Sequence, residues 1–344
     1  MWGGNKMAKK ISLSSVAIKF LGSAGITVLL TSYFGLAGAV RATEVRNPHT
    51  SHDTGEYLKP TGKGWGEHDP TGMTFGNAQK FSRTSTNGIS YHGGPVILNT
   101  VNMYYIWYGK WDFSTTTTDS ATKNLLNTFG TSIGGTNYFK INTTYYSSSP
   151  TTYVSGLVAL PNTTVDASYS QGSALNDTAV ETIVANALAS GALGNPDPNG
   201  VYFVLTSKEV TETSGFCTQY CAWHTHGLIN NTDIKYGFVG DPAQCPSACS
   251  VQTTTPNGNF AADAMANLIA HELAESTTDP DLNAWYDTRG YENADKCAWK
   301  FGTTYPASNG AQYNVTWGTA PNTTNWLIQQ NWINKSGGYC TLTN

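Results

Sequence analysis

The most constraining feature of this chain is its strongest helix pattern, the segment FAADAMANLIAHELAEST at residues 260 to 277. Ala264, Leu268 and Ile269 recur at helical spacing, which predicts a helix with a buried face. Pro280 follows and ends the helix, because proline disfavours helical backbone in the residue before it. The rest of the domain is therefore expected to pack around this helix.

The same helix carries ionisable side chains in the order H-E-x-x-E. His271 and Glu275 are four residues apart, so they project from one face and can bind one divalent ion. Glu272 occupies the position at which H-E-x-x-H enzymes place the base that activates metal-bound water. A glutamate in place of the second histidine should make that water less acidic. The alternative is a structural helix that matches a short motif by chance.

A metal site needs further ligands from other segments of the chain. We prefer Glu292 as the third ligand, with Asp295 second, either as a substitute ligand or as a supporting group, and Asp281 third. His224 and His226 form an H-x-H pair that can complete the site or line a substrate cleft. The alternative for this pair is ordinary surface histidines next to a disulfide. The pattern predicts Zn²⁺ as the cofactor.

The N-terminal sequence predicts a signal peptide for export. Lys6, Lys9 and Lys10 form a basic segment before an apolar run from Phe20 to Ala39, and Val40-Arg41-Ala42 then offers small residues for a signal peptidase. A membrane anchor is the alternative, but glycine, serine and threonine dilute the run. We expect cleavage after residue 42 and a secreted protein with no membrane association afterwards.

Removal of that signal takes away five positive side chains and no negative ones, which leaves 14 positive against 23 negative side chains, a net charge of −9. Such a balance argues against nucleic acid as a partner, because nucleic-acid binding needs a basic face.

Six cysteines follow, at positions 217, 221, 245, 249, 297 and 340. An even number in an exported chain predicts three disulfides, namely some pairing of Cys217, Cys221, Cys245, Cys249, Cys297 and Cys340. The two C-x3-C pairs could instead clamp zinc, although the spacing is loose for that. Sequons for N-glycosylation predict surface positions at Asn142, Asn162, Asn176, Asn230, Asn314, Asn322 and Asn334.

Residues 43–88 lack periodicity and are rich in glycine, threonine and proline, which predicts a flexible leader or linker. Residues 89–344 form the predicted domain. Its expected strands lie within 91–111, at 201–206 and at 236–239, and its expected helices at 119–129, from a capping box at Thr178, and at 260–277. This interleaving predicts a mixed α/β (α+β) fold, a single zincin-like domain with a central metal-site helix and disulfide-stapled loops.

Several motifs together resemble the phosphate-induced protein/EXORDIUM family of secreted proteins. They are YHGGPVI with YYIWYGKW, GFCTQYCAWHTHG, QCPSAC, HELAESTTDPDLNAWYD and ENADKC. The resemblance covers about residues 91 to 340 and implies an extracellular or cell-wall protein without a settled biochemical activity. Plant members resemble ATNPFGNGYY where this chain reads TTDPDLNAWY, and they often lack counterparts of His271, Glu272 and Glu275.

Two functional hypotheses follow. The first is a secreted zinc-dependent hydrolase, peptidase-like, in which Glu272 activates water and a peptide or protein is the substrate. The second is a non-catalytic extracellular or wall-associated protein that binds a glycan or a protein partner through aromatic surfaces.

Overall fold

The computed structural model describes residues 60, 61, 63, 88–148 and 150–344. The predicted signal peptide (residues 1–42) and nearly all of the predicted leader (residues 43–88) lie outside the described residues. Within the described part, the α-helices are α1 (Thr118–Ser132), α2 (Asp177–Ala189), α3 (Pro246–Cys249) and α4 (Phe260–Thr278), and the 3₁₀ helices are η1 (Phe139–Thr144), η2 (Pro242–Gln244) and η3 (Asp295–Cys297).

The strands of the described part are mostly short. In chain order they are β1 (Ser90–Tyr91), β2 (Val101–Tyr108), β3 (Tyr146–Ser148), β4 (Thr151–Tyr153), β5 (Val158–Ala159), β6 (Thr163–Asp166), β7 (Ala174–Leu175), β8 (Gly200–Thr206), β9 (Thr211–Glu212), β10 (Ala222–Ile229), β11 (Thr232–Val239), β12 (Trp285–Tyr286), β13 (Tyr305–Pro306), β14 (Gln312–Tyr313), β15 (Val315–Thr319), β16 (Asn322–Trp326), β17 (Asn331–Ile333) and β18 (Tyr339–Thr341). Substantial β content and four α-helices make this a mixed α/β protein.

One six-stranded sheet organises the fold. Its order is β10-β11-β8-β2-β5, with β6 also paired to β2, and every pairing is parallel except that of β10 with β11. All seven residues of β8 are buried, as the central strand of a parallel sheet covered on both faces requires. Asn230 and Asn231 connect β10 to β11 with positive φ at both positions, which suits a two-residue hairpin turn.

Helix α4 lies in the interior, in contact with α1, β10, β11 and η1. Every residue from Ala262 to Thr278 is buried. The Asn259 side chain caps its first turn by accepting a hydrogen bond from the Ala262 N–H, and Asp279 follows its last turn. The prediction of a buried helix at residues 260–277 is therefore confirmed to within one residue.

The other predicted elements differ from the structure mainly at their ends. The strand predicted at 201–206 is β8, and the one predicted at 236–239 is the second half of the longer strand β11. The capping-box prediction at Thr178 is wrong, because the side chain of Asn176 caps α2 by accepting from the Ala179 N–H. Asparagine is as good an N-cap as threonine, and here it stands two residues earlier.

The three predicted disulfides are confirmed. Cys217 pairs with Cys245 and Cys221 with Cys249, so two bridges join the approach to β10 to the α3 region. The third bridge, Cys297–Cys340, joins η3 to β18. The zinc-clamp alternative is wrong, because every cysteine is used in a bridge.

One sequon does not mark the surface. Asn142 is fully buried, and its side-chain oxygen accepts hydrogen bonds from the amides of Asn293 and Asn331. The sequon prediction is therefore wrong at this position, whereas Asn162 and Asn322 are exposed. In the part of the chain that the structure describes, no helix has the length and apolar character needed to cross a membrane.

Candidate metal centre

Helix α4 places three ionisable side chains in the protein interior. His271 is 2 % exposed, and Glu272 and Glu275 are completely buried. Such groups are rarely buried unless they pair with a partner or coordinate a metal. Strand β10 and the segment after β12 then bring further ionisable groups to the same place.

One set of donors surrounds His271. Its Nε2 atom lies 3.1 Å from Glu275 Oε1 and 3.5 Å from Asp295 Oδ1. The ligand atoms of these three residues all lie within 4.8 Å of one another. The backbone N–H of Asp295 also donates to Glu275 Oε1 at 2.9 Å, which ties η3 to α4. The structure therefore brings Asp295, the second-ranked candidate, to the predicted His271–Glu275 pair.

A second set of donors surrounds His224 on β10, which is fully buried. Its Nε2 atom lies 3.2 Å from Glu292 Oε2 and 3.6 Å from Glu275 Oε2. Glu272 belongs to this side, because its ligand atom and those of His224 and Glu275 lie within 4.8 Å of one another. Glu292, the preferred third ligand, thus contacts His224, and Glu275 contacts both histidines.

The other half of the H-x-H pair lies apart from this cluster. His226 Nδ1 is 2.7 Å from Asp233 Oδ1 and 3.7 Å from Asp281 Oδ1, and Lys235 Nζ is 3.5 Å from that same Asp281 oxygen. His226 is 36 % exposed. Asp281 therefore belongs to a surface ion-pair cluster that already contains a lysine, and the structure does not bring it to His271.

Gln329, which no sequence motif singled out, contacts the second ring nitrogen of His271. Its Nε2 atom lies 2.8 Å from His271 Nδ1 and 3.2 Å from the carbonyl oxygen of Ala294. In this orientation the amide nitrogen faces Nδ1, and the amide oxygen accepts from the Trp299 N–H at 3.4 Å. A metal on Nε2 needs the ring proton on Nδ1, so the amide would have to turn its oxygen to that proton. Gln329 thus controls which ring nitrogen of His271 is available to an ion.

Burial dominates the electrostatics of the cluster. It lowers the pKa of His224 to about 3, with a smaller contribution from the His271 charge, so the imidazole is neutral and able to coordinate. Burial also raises the pKa of Glu292 well above its usual range, and the charges of Glu275 and Asp279 raise it further.

Tyr138 also lies within the electrostatic reach of the cluster. Burial raises the pKa of its phenol, and the charges of His271 and Glu275 act on it as well. Its hydroxyl is buried and has no hydrogen-bond partner among the described residues. Nothing in the local sequence singles out Tyr138, because η1 and α4 are far apart along the chain.

Taken together, the donors suit a first-row divalent metal. Imidazoles and carboxylates are ligands that zinc accepts, and carboxylates also suit harder ions such as Mn²⁺. The separations of 3.1 to 3.6 Å between each histidine nitrogen and its carboxylate oxygens are those expected of donors that share one ion. The residues therefore fit a metal.

Comparison with known proteins gives one family and several relatives. A family model described as the phosphate-induced protein 1 conserved region matches residues 89–334. The chain is 29 % identical over 301 residues to Protein EXORDIUM-like 3 of Arabidopsis thaliana, across 78 % of this chain and 88 % of that protein. It is 28 % identical over 264 residues to Protein EXORDIUM-like 5 of the same plant, across 68 % of this chain and 70 % of that protein.

The similarity extends to Protein EXORDIUM of Arabidopsis thaliana, at 28 % identity over 235 residues, across 60 % of this chain and 70 % of that protein. No solved structure matches the chain.

Proposed function

We propose that this chain, which belongs to the phosphate-induced protein 1 family, is an exported zinc-dependent hydrolase of the peptidase type. The observation that carries the proposal is the convergence of His271, Glu275 and Asp295, whose ligand atoms lie within 4.8 Å of one another in the interior. Export is supported by the N-terminal signal pattern and by three disulfides, which form and persist in oxidising compartments.

Zinc in this cluster would supply a Lewis acid that polarises a substrate carbonyl and acidifies water. The protein supplies the remaining chemistry. Glu272 would accept the proton of the attacking water as the new C–O bond forms, and would then return it to the leaving amine as the C–N bond breaks, giving a carboxylate and an amine. Glu272 suits this role because it directly follows His271 and belongs to the same buried cluster as Glu275.

A zincin-like arrangement of the domain is supported by the way the sheet meets the helix. Strand β10 is the edge strand of the six-stranded sheet, runs antiparallel to its neighbour β11 and contacts α4. It therefore brings His224 to the metal-site helix. An edge strand also leaves backbone groups available to an extended peptide, which can add to the sheet as a further strand.

The second candidate is a non-catalytic extracellular protein with a structural ion. One observation favours it: Asp295 and the other side chains of the centre are at most 4 % exposed, whereas a catalytic metal needs a position open to substrate. A glycan partner would find stacking surfaces on Tyr153, Tyr305 and Tyr339, which are about half exposed.

The deciding experiment begins with the metal content of the purified secreted protein, measured by mass spectrometry. The wild-type protein should retain zinc, and the His271→Ala/Glu275→Ala double variant should lose it while keeping its far-UV circular dichroism. Glu272→Gln should keep zinc but lose activity in a peptide-substrate screen by about 100-fold or more. Zinc binding with equal activity of wild type and Glu272→Gln would select the structural ion, and absence of metal from the wild type would reject both assignments.

A further inference from the structure

The carboxylate of Glu275 contacts both histidines, each through a different oxygen. Oε1 lies 3.1 Å from Nε2 of His271, and Oε2 lies 3.6 Å from Nε2 of His224. The two histidines come from different elements, α4 and β10, so Glu275 stands between two sets of donors. A carboxylate placed in this way can bridge two ions, one on each oxygen.

We infer that this centre holds two divalent cations rather than one, an inference that rests on the proposed metal function and extends it. The first cation lies between His271, Glu275 and Asp295. The second lies between His224, Glu275 and Glu292. Glu275 bridges them, as bridging ligands do in hydrolases whose paired metals are about 3.5–4 Å apart.

The distances support three donors for each ion. Metal–nitrogen and metal–oxygen bonds of about 2.0–2.2 Å place neighbouring donors roughly 3.0–3.5 Å apart around a shared ion. His271 Nε2 meets its two carboxylate oxygens at 3.1 and 3.5 Å, and His224 Nε2 meets its two at 3.2 and 3.6 Å. In each set, the histidine nitrogen therefore lies at a distance from two carboxylate oxygens that suits donors of one ion.

Charge balance favours two ions over one. When ionised, Glu272, Glu275, Glu292 and Asp295 carry four negative charges in the interior, where each of these side chains is at most 4 % exposed. One dication would leave two of these charges in a medium that solvates them poorly, whereas two dications balance all four. The charge of the cluster therefore matches two divalent ions.

An unsatisfied atom at the second position is independent support. Glu292 is 1 % exposed, and its Oε1 atom has no hydrogen-bond partner among the described residues. Buried polar atoms without partners are uncommon and call for an explanation such as an ion. A cation at the second position would be reached by Glu292 and His224 together. Glu272 borders this position, since its ligand atom and those of His224 and Glu275 lie within 4.8 Å of one another, and it keeps its proposed role as base.

Metal stoichiometry tests the inference. The full secreted chain is stripped with a chelator, reloaded with Zn²⁺ or with Mn²⁺ alone, and its metal content is measured by mass spectrometry. Wild type should bind two ions per chain, and His224→Gln and the isosteric Glu292→Gln should each bind one. His226→Gln is the matched control, since it changes the same residue type on the same strand outside the cluster, and it should bind two.

Electron paramagnetic resonance gives a second measurement on the Mn²⁺-loaded protein. Two bridged Mn²⁺ ions should give the spectrum of a coupled pair, and Glu292→Gln should convert it to the spectrum of an isolated ion. Near-UV circular dichroism identifies any variant that fails to fold.

The other outcomes overturn the inference in distinguishable ways. One ion per wild-type chain, retained in Glu292→Gln and His224→Gln but lost in His271→Ala, would remove the second position and leave the proposed function standing. One ion lost equally in the His224 and His271 variants would mean a single shared ion. No ion in the wild type would reject the proposed function as well.

Discussion

The bridge between Cys297 and Cys340 should contribute strongly to the stability of the domain. It closes a loop of 43 residues, and the loop-closure entropy of such a ring corresponds to about 4 kcal/mol at 25 °C. The Cys297→Ala/Cys340→Ala double variant should therefore lose about 4 kcal/mol of unfolding free energy. Because Asp295 lies two residues before Cys297, the variant should also bind zinc more weakly.

The assay is urea unfolding of metal-free protein, followed by tryptophan fluorescence, with midpoint and slope fitted for each variant. The matched control is Cys217→Ala/Cys245→Ala. The neighbouring bridge Cys221–Cys249 closes a loop of the same length, with a sequence separation of 28 in both bridges. While Cys221–Cys249 remains, the Cys217–Cys245 bridge closes only a short ring made of the two Cys-x3-Cys segments. Its removal should therefore lower the unfolding free energy by about 2.5 kcal/mol.

The reasoning would be refuted by a loss below about 1 kcal/mol for the Cys297/Cys340 variant, or by a larger loss for the control than for this variant. A steeper dependence of the unfolding free energy on urea concentration would show that the unfolded variant is less compact than the unfolded wild type.

Two further predictions concern the centre, and a third concerns Asp241, a buried carboxyl group at the start of η2. Free zinc at 100 times its Kd should raise the unfolding free energy by about 2.7 kcal/mol per site, and Glu275→Gln should abolish most of this gain in a thermal-shift titration. Gln329→Leu should weaken zinc binding about 10- to 100-fold in a competition assay with a chromogenic chelator, because His271 loses its orienting contact. Burial raises the pKa of Asp241 to about 6, so the stability that this group contributes is complete below pH 4 and lost as the pH rises through about 6. In urea unfolding between pH 4 and pH 7, the unfolding free energy of the wild type should therefore fall by up to about 3 kcal/mol more than that of Asp241→Asn. Parallel pH profiles of the two proteins would contradict the assignment.

Local sequence patterns were sufficient for the elements that pack on all sides. Helix α4 has apolar residues at helical spacing and strand β8 is an apolar run, and the structure contains both close to their predicted bounds. The start of α2 was misplaced, because Asn176 and Thr178 both offer good capping side chains and only the backbone decides between them. The number of disulfides could be predicted from the even number of cysteines, whereas their pairing depends on which segments the fold brings together.

The candidate site divides in the same way. His271 and Glu275 share one helix face at four-residue spacing, which is a local property and could be predicted. The positions of His224 and Asp295 depend on how β10 and η3 meet α4, and no spacing rule fixes that. The family match supports the motifs that suggested membership, and it leaves the ligand assignments as predictions.

A cluster of buried carboxylates is a poor way to stabilise a protein. Replacing buried charged groups with well-packed apolar residues is often neutral or stabilising, because desolvation costs more than the mutual attraction returns. Here Glu272 and Glu275 lie on a helix at the centre of the core, and Glu292 joins them with a pKa raised first by burial and then by the charge of Glu275. Their arrangement is consistent with selection for a bound cation, which would turn this unfavourable repulsion into coordination.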